Sequence, residues 1–79
     1  MARAVIICPN EPGRWRDHWL TMCMDYCTEH GYDVVGVTET WASAMRMLDA
    51  DEAEIVVVAK RKHLPRSPVP RLEVVAEQR

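Results

Sequence analysis

Cys8 and Arg14 form a Cys-x5-Arg pattern at the point where an apolar run ends and a helix-like pattern begins. A cysteine in that position can attack a phosphate ester as a thiolate, while backbone N–H groups and the arginine hold the phosphate oxygens. The residues between them oppose this chemistry. Pro9 and Pro12 lack the N–H donors that such a site needs, and Glu11 adds a negative charge where an anion would bind.

The position of this pattern is similar to the anion site of low-molecular-weight tyrosine phosphatases and arsenate reductases, which lies between a first strand and a first helix. The Asp-Pro motif that would supply a general acid does not follow in this sequence. We therefore favour a buried strand thiol for Cys8 and a helix-entry position for Arg14. A phosphatase-like enzyme that uses these two residues is kept as an alternative.

The densest basic cluster lies at residues 60–66 and comprises Lys60, Arg61, Lys62, His63 and Arg66. Residues 60–79 carry a net charge of +4, whereas residues 1–59 carry −6. The cluster would suit phosphate groups, so DNA binding is one hypothesis. The competing interpretation is a solvated loop that balances the acidic residues at 49–52. We favour the second interpretation because no aromatic residues are interleaved with the basic ones.

Cys23 and Cys27 are four residues apart in a helix-like pattern, so both thiols could reach one metal ion. A third ligand would have to come from Cys8 or His30. Because both cysteines lie on the apolar side of the pattern, we favour core packing and expect neither a metal nor another cofactor. Three cysteines without a signal peptide favour reduced thiols in a cytoplasmic protein.

Hydrophobic periodicity predicts four strands and two helices in the order β-α-β-α-β-β. The predicted strands are residues 3–8, 32–38, 54–59 and 71–77, and the predicted helices are residues 14–30 and 41–48. Gly31 is placed to end the first helix, and Thr40 is placed to cap the second. No linker is visible, so we expect residues 1–79 to form a single domain.

Strands that alternate with helices pair in parallel through right-handed crossovers. The predicted strand order is 2-1-3-4, which gives a three-layer α/β fold with one helix on each face of the sheet. In such sheets, ligands bind beyond the carboxyl ends of the strands, at the switch point between strands 1 and 3. The loops at residues 9–13 and 60–70 both start from that edge.

Four segments of the chain resemble successive motifs of the serine recombinase (resolvase/invertase) catalytic domain. Residues 26–35 (YCTEHGYDVV) resemble the family segment reYaeahGweVv, and residues 4–7 (AVII) resemble the opening strand AviYaRvSt. Residues 55–66 (IVVVAKRKHLPR) resemble dvvvvwklDRLsR, and residues 71–77 (RLEVVAE) resemble the next strand, gvelvslte. The segments follow the order of the family, so the resemblance implies a small resolvase-like fold.

The resemblance also implies that the recombinase chemistry is missing. The family cuts DNA with a serine hydroxyl that attacks a backbone phosphate, and arginines stabilise the developing charge. Aligned without gaps, the first arginine falls on Pro9, the serine on Glu11, and an Asp-Arg pair on Lys62 and His63. Only the last arginine has a counterpart, Arg66. A carboxylate in place of the attacking group would repel the substrate, which implies a shortened, non-catalytic relative.

Trp15, Trp19 and Trp41 are many tryptophans for a chain of 79 residues, and we expect them to anchor the core. The helix that follows strand 3 in the family is reduced here to residues 67–70. Its loss would leave part of one sheet face bare, and exposed apolar surface commonly marks an interface. We therefore expect self-association through that face or through the last edge strand, with the three tryptophans and Val74 as candidate contacts.

These inferences favour a non-enzymatic, resolvase-like interaction or regulatory domain that forms a homo-oligomer and binds an unidentified protein partner. The main alternative is a small DNA-associated accessory protein that uses residues 60–66. The composition, with 48% hydrophobic and 28% charged residues, is that of a globular domain. No apolar run approaches the ~20 residues needed to cross a bilayer, so we expect no membrane association.

Overall fold

The computed structural model describes residues 2–9, 15–60 and 72–75. Within them, the chain forms four strands and two helices in the predicted order. These elements are β1 (Arg3–Ile7), α1 (Trp15–His30), β2 (Asp33–Thr38), α2 (Trp41–Asp49), β3 (Ile55–Val58) and β4 (Leu72–Val74). Neither of the two described helices has the length and apolar character that crossing a lipid bilayer requires.

The four strands form one parallel sheet in the order β2-β1-β3-β4, which confirms the predicted topology. The strands are somewhat shorter than predicted. Ladder pairing in β3 starts after Glu54, although the N–H of that residue still donates to the carbonyl oxygen of Arg3 (2.8 Å). β4 ends at Val74, and Val75 has already left the strand. The rest of the predicted last strand lies outside the described residues.

The central strand β1 is buried on both of its faces. Ala4 and Ile6 pack in the core beneath α1, while Val5 and Ile7 pack in the core beneath α2. All four side chains are at most 1% exposed. Burying a valine or isoleucine side chain contributes about 1.5–3 kcal/mol, so Val5, Ile6 and Ile7 make β1 the anchor of both cores. The separate clusters confirm the prediction of one helix on each face of the sheet.

The predicted helix caps are both present. Gly31 ends α1 with φ +70°, a conformation that favours glycine, and the following Tyr32 donates its N–H to the carbonyl oxygen of Cys27 (2.8 Å). Thr40 precedes α2 in an extended conformation, and its side-chain oxygen accepts the N–H of Ser43 (3.3 Å). Gly31 thus ends α1 before β2, and Thr40 starts α2 after β2.

The edge strand β2 pairs with β1 through one irregularity. Ala4 lies opposite Val34, and Val5 lies opposite Gly36, so Val35 is an extra residue without a partner on β1. A bulge of this kind increases the local twist of a strand. Along β2, exposed and half-buried residues alternate and none is fully buried. β2 is therefore the least covered strand of the described sheet.

Candidate functional site

Cys8 follows β1 at the carboxyl end of the sheet and is 1% exposed. Its N–H donates to the carbonyl oxygen of Thr38 (2.8 Å), at the end of β2. Its thiol donates to the carbonyl oxygen of Arg16 (3.6 Å), in the first turn of α1. Cys8 is thus a buried thiol that joins three elements at the edge where ligands bind in related sheets.

The surroundings of Cys8 oppose thiolate formation. Burial raises the pKa of the thiol, the guanidinium of Arg16 lowers it in part, and the carboxylates of Asp17 and Glu39 raise it again. A nucleophilic cysteine needs the opposite shift, because the thiolate is the reactive form. At neutral pH this thiol stays protonated. Its proposed partner in the Cys-x5-Arg pattern, Arg14, lies outside the described residues.

Arg16 is a residue of this edge that the sequence pattern did not single out. Its Nε atom is buried and has no hydrogen-bond partner among the described residues. A buried guanidinium nitrogen ordinarily has an acceptor, and the backbone carbonyl of the same residue accepts from the Cys8 thiol. No sequence signal distinguished it, because an arginine in a first helical turn is ordinarily a solvated side chain.

Lys60 is the one described member of the basic cluster. It follows β3 and is exposed, and its ammonium lies 5.6 Å from the ring centroid of Trp19. This distance allows a cation–π interaction, which holds the ammonium of Lys60 near the ring of Trp19 at the carboxyl end of the sheet. The other predicted members lie outside the described residues: Arg61, Lys62, His63 and Arg66.

Two of the four predicted interface contacts, Trp19 and Val74, are buried side chains. Trp19 is 4% exposed and packs beneath α1, while Val74 is 3% exposed and packs on the α2 side of the sheet. Trp41 is half-buried against that second core. Trp15 begins α1, but its side chain lies outside what is described. Trp19 and Val74 therefore stabilise the chain itself, because helix packing and strand alternation turn both inwards.

Cys23 and Cys27 are free, buried thiols in the core beneath α1. Burial raises the pKa of Cys23 to about 12 and also raises that of Cys27. Metal binding would require thiolates, which this environment disfavours. Over residues 2–9, 15–60 and 72–75, no group of three His, Cys, Asp or Glu side chains is arranged to hold a metal ion.

A carboxylate on β4 receives hydrogen bonds from two tyrosines. The hydroxyl of Tyr26, on α1, donates to Oε1 of Glu73, and the hydroxyl of Tyr32 donates to Oε2 at 2.8 Å. Burial and then the bond to Glu73 raise the pKa of Tyr26, whereas the bond to Glu73 is the main cause of the raised pKa of Tyr32. These contacts tie β4 to α1. Because Glu73 is 47 and 41 residues from the two tyrosines, no local pattern predicted these contacts.

The exposed apolar side chains that the structure describes lie on α1 and β2. Among the described residues, the large hydrophobic side chains that face solvent are Met24 (41% exposed), Val35 (38%) and Val37 (43%). At the other edge of the sheet, Val74 and Val75 are buried. From the sequence we expected the interface at a sheet face left bare by a shortened helix or at the last edge strand. The second strand was already an edge in the predicted order.

Met24 lies on α1, the helix that packs against β2. Tyr26 turns towards β4, because its hydroxyl bonds to Glu73 there. Met24 is two residues earlier on α1 and so projects about 200° away, towards the β2 side of the helix. We call this region the β2-edge surface, which comprises Met24, Val35 and Val37.

Comparison with known proteins shows what this fold is similar to. No protein-family model and no curated protein matches the chain. Among solved structures, the chain is similar to the C-terminal catalytic domain of ISC1926 TnpA, an IS607-like serine recombinase. The TM-score is 0.73 at 17% sequence identity, and the match covers 92% of this chain and 67% of that one. The chain therefore has a serine recombinase-like α/β fold, as the sequence motifs implied.

Proposed function

We propose that this chain is a non-catalytic, resolvase-like interaction and regulatory module that associates with a copy of itself. The observation that carries the proposal is the β2-edge surface, where two valines of the edge strand β2 and a methionine of α1 are exposed to water. Covering such side chains contributes roughly 25 cal/mol per Å² of apolar area removed from water. An edge strand also presents N–H and C=O groups that a second strand can pair with.

The residues at the recombinase positions support the non-catalytic part of the proposal. Glu11 stands where the resemblance puts the nucleophilic serine, and Pro9 stands where it puts the first arginine. Lys62 and His63 stand where it puts the Asp-Arg pair. The neighbouring Cys8 is a poor substitute nucleophile, because burial raises the pKa of its thiol.

Size-exclusion chromatography with light scattering, over a range of protein concentrations, tests the self-association. We expect the wild-type chain to shift from monomer to dimer as concentration rises. Val37→Lys should raise the dimer dissociation constant by at least about tenfold, because an interface would strip water from the new ammonium group. Thr21→Lys adds the same charge at an exposed position of α1 and should dimerise like the wild type. A wild-type chain that stays monomeric throughout would refute the proposal.

A small DNA-associated protein is the second candidate, and Lys60 favours it. Its ammonium is exposed beyond the end of β3, above the ring of Trp19. Fluorescence anisotropy with a labelled duplex tests this candidate in the wild type and in a variant with Lys60, Arg61 and Lys62 changed to alanine. Binding that weakens with salt and is lost in the variant would move this candidate ahead. No binding at low salt would remove it.

A further inference from the structure

β2 presents an open strand edge beside its exposed side chains. It pairs with β1 on one side, and no described strand lies on its other side. Such an edge is a template for pairing with a further strand. β2 offers six residues for this purpose, whereas β4, at the opposite edge, offers three. The longer edge is also the one that carries exposed valines.

The bulge at Val35 puts two valines of β2 on the same face of the sheet. Val34 lies beside Ala4, and Val37 lies beside Ile6; both of these β1 residues pack beneath α1. Without the extra residue, positions 34 and 37 would point to opposite faces, because side chains alternate along a strand. β2 therefore has one valine towards each end that faces the α1 side.

We propose that two copies of the chain join by antiparallel pairing of their β2 strands, with Val34 of each copy opposite Val37 of the other. This inference rests on the proposed self-association and specifies its geometry. Residues directly opposite each other in an antiparallel pair share a face, so the four valines would form one apolar cluster on the α1 side. All six residues of each β2 take part in this register.

Charge also favours this register. It places Asp33 opposite Thr38, so that a carboxylate faces a hydroxyl and not a second carboxylate. The Asp33 residues of the two copies are then roughly 17 Å apart along the strands, beyond the ~8 Å over which charges interact at physiological salt. The register one residue further on would set Asp33 against Glu39 and turn Val34 towards the wrong face.

A parallel pairing of the two β2 strands is less favourable. In register, it would bring the two Asp33 carboxylates side by side, and it would lack the twofold axis that closes a dimer. The antiparallel pairing is closed by a twofold axis through the sheet. It gives a continuous sheet in which the four strands of each copy are joined at β2, and α1 of both copies lies on one face. Each β4 remains at an outer edge.

Cysteine cross-linking tests the register. Chains carrying Val34→Cys and chains carrying Val37→Cys are prepared separately, mixed and oxidised gently. We expect a disulfide-linked dimer in the mixture, because opposite Cβ atoms lie about 4.5–5.5 Å apart. Each variant alone should not cross-link, since equal positions would be about 10 Å apart along the strands. The wild type is the control, because its own thiols are buried: Cys8, Cys23 and Cys27.

The outcomes separate this geometry from the proposed function. A cross-link that forms in the mixture, and in neither variant by itself, supports the antiparallel register. Cross-linking of Val37→Cys by itself, or no cross-link in a chain that dimerises by light scattering, overturns the register and leaves the self-association intact. A monomeric wild type contradicts both. Amide hydrogen exchange gives a second measurement without substitutions: β2 amides of the wild type should exchange more slowly as concentration rises, and unchanged rates in a dimerising chain would overturn the pairing.

Discussion

The two edges of this sheet differ in how they are covered. β4 is the shorter edge, yet Val74 and the following Val75 are buried, whereas no residue of β2 is buried. The two edges also differ in the polar contacts of their side chains. Glu73 on β4 accepts hydrogen bonds from Tyr26 on α1 and from Tyr32, which follows α1, while Val74 is buried on the α2 side of the sheet. Within the described residues, β4 is thus held by side-chain contacts, and β2, whose side chains are more exposed, is the edge through which we propose that the chain associates.

The largest expected effect on stability is at the β4 edge of the sheet. In the double variant Tyr26→Phe/Tyr32→Phe, the half-buried carboxylate of Glu73 loses both hydroxyl donors. An unsatisfied polar group of this kind costs about 1–3 kcal/mol, and more when it is charged. We therefore expect the free energy of unfolding to fall by about 2–4 kcal/mol in urea titrations. Glu73→Gln is the matched control, which keeps an acceptor oxygen and should lose less. Equal stability of the double variant and the wild type would contradict a stabilising role for the two tyrosine hydrogen bonds to Glu73.

Alkaline pH should weaken the same region. Tyr26, Tyr32 and Cys23 all have pKa values raised by folding, that of Cys23 to about 12. Such groups favour the folded chain at pH values below their ordinary pKa, and this contribution is lost once the unfolded chain ionises first. Stability should therefore hold up to about pH 8 and fall above about pH 9, by at most ~1.4 kcal/mol per pH unit for each group.

Urea titrations at a series of pH values check this expectation. The double variant Tyr26→Phe/Tyr32→Phe should lose the tyrosine part of the alkaline decline and keep the part due to the three buried cysteines. A decline of the same steepness in both chains would show that the tyrosines do not contribute. Ultraviolet absorbance of tyrosinate gives a direct check, since ionisation of Tyr26 and Tyr32 should occur above the ordinary tyrosine pKa of about 10.

The smallest effect on stability is expected at the open edge. Val37 is 43% exposed, so Val37→Lys should change the free energy of unfolding by no more than about 0.5 kcal/mol. The same substitution should have its main effect on dimerisation. Urea titration at low protein concentration, where the wild type is monomeric, measures the first quantity without the second. A loss of 2 kcal/mol or more, roughly that of a buried aliphatic residue, would mean that β2 belongs to the core of the monomer.

Much of this fold follows from sequence patterns because its signals are local. Apolar runs identify the central strands, Gly31 and Thr40 mark the ends of the helices, and the alternation of strands and helices implies parallel pairing. Serine recombinase motifs pointed to the same fold as the structural comparison. The predicted strands are longer than the observed ones, because an apolar sequence continues past the point at which a partner strand stops.

The candidate site was harder to predict because its contacts are not local. The bonds from Tyr26 and Tyr32 to Glu73 span more than half of the chain, and the buried Nε of Arg16 has no partner within the part of the chain that the structure describes. The sequence did predict that strand 2 is an edge, from which the exposure of its valines follows. It instead assigned the interface to the tryptophans and Val74, because large apolar residues are typical of both cores and interfaces.

Amide hydrogen exchange of the wild-type chain at two concentrations, one well below and one well above the onset of dimerisation, tests the central claim most directly. The account predicts that amides of β2, from Asp33 to Thr38, exchange more slowly at the higher concentration, while those of β4 exchange at the same rate. Slower exchange confined to β4, or to neither edge in a chain that has dimerised, would contradict the claim that β2 is the open edge through which this protein associates.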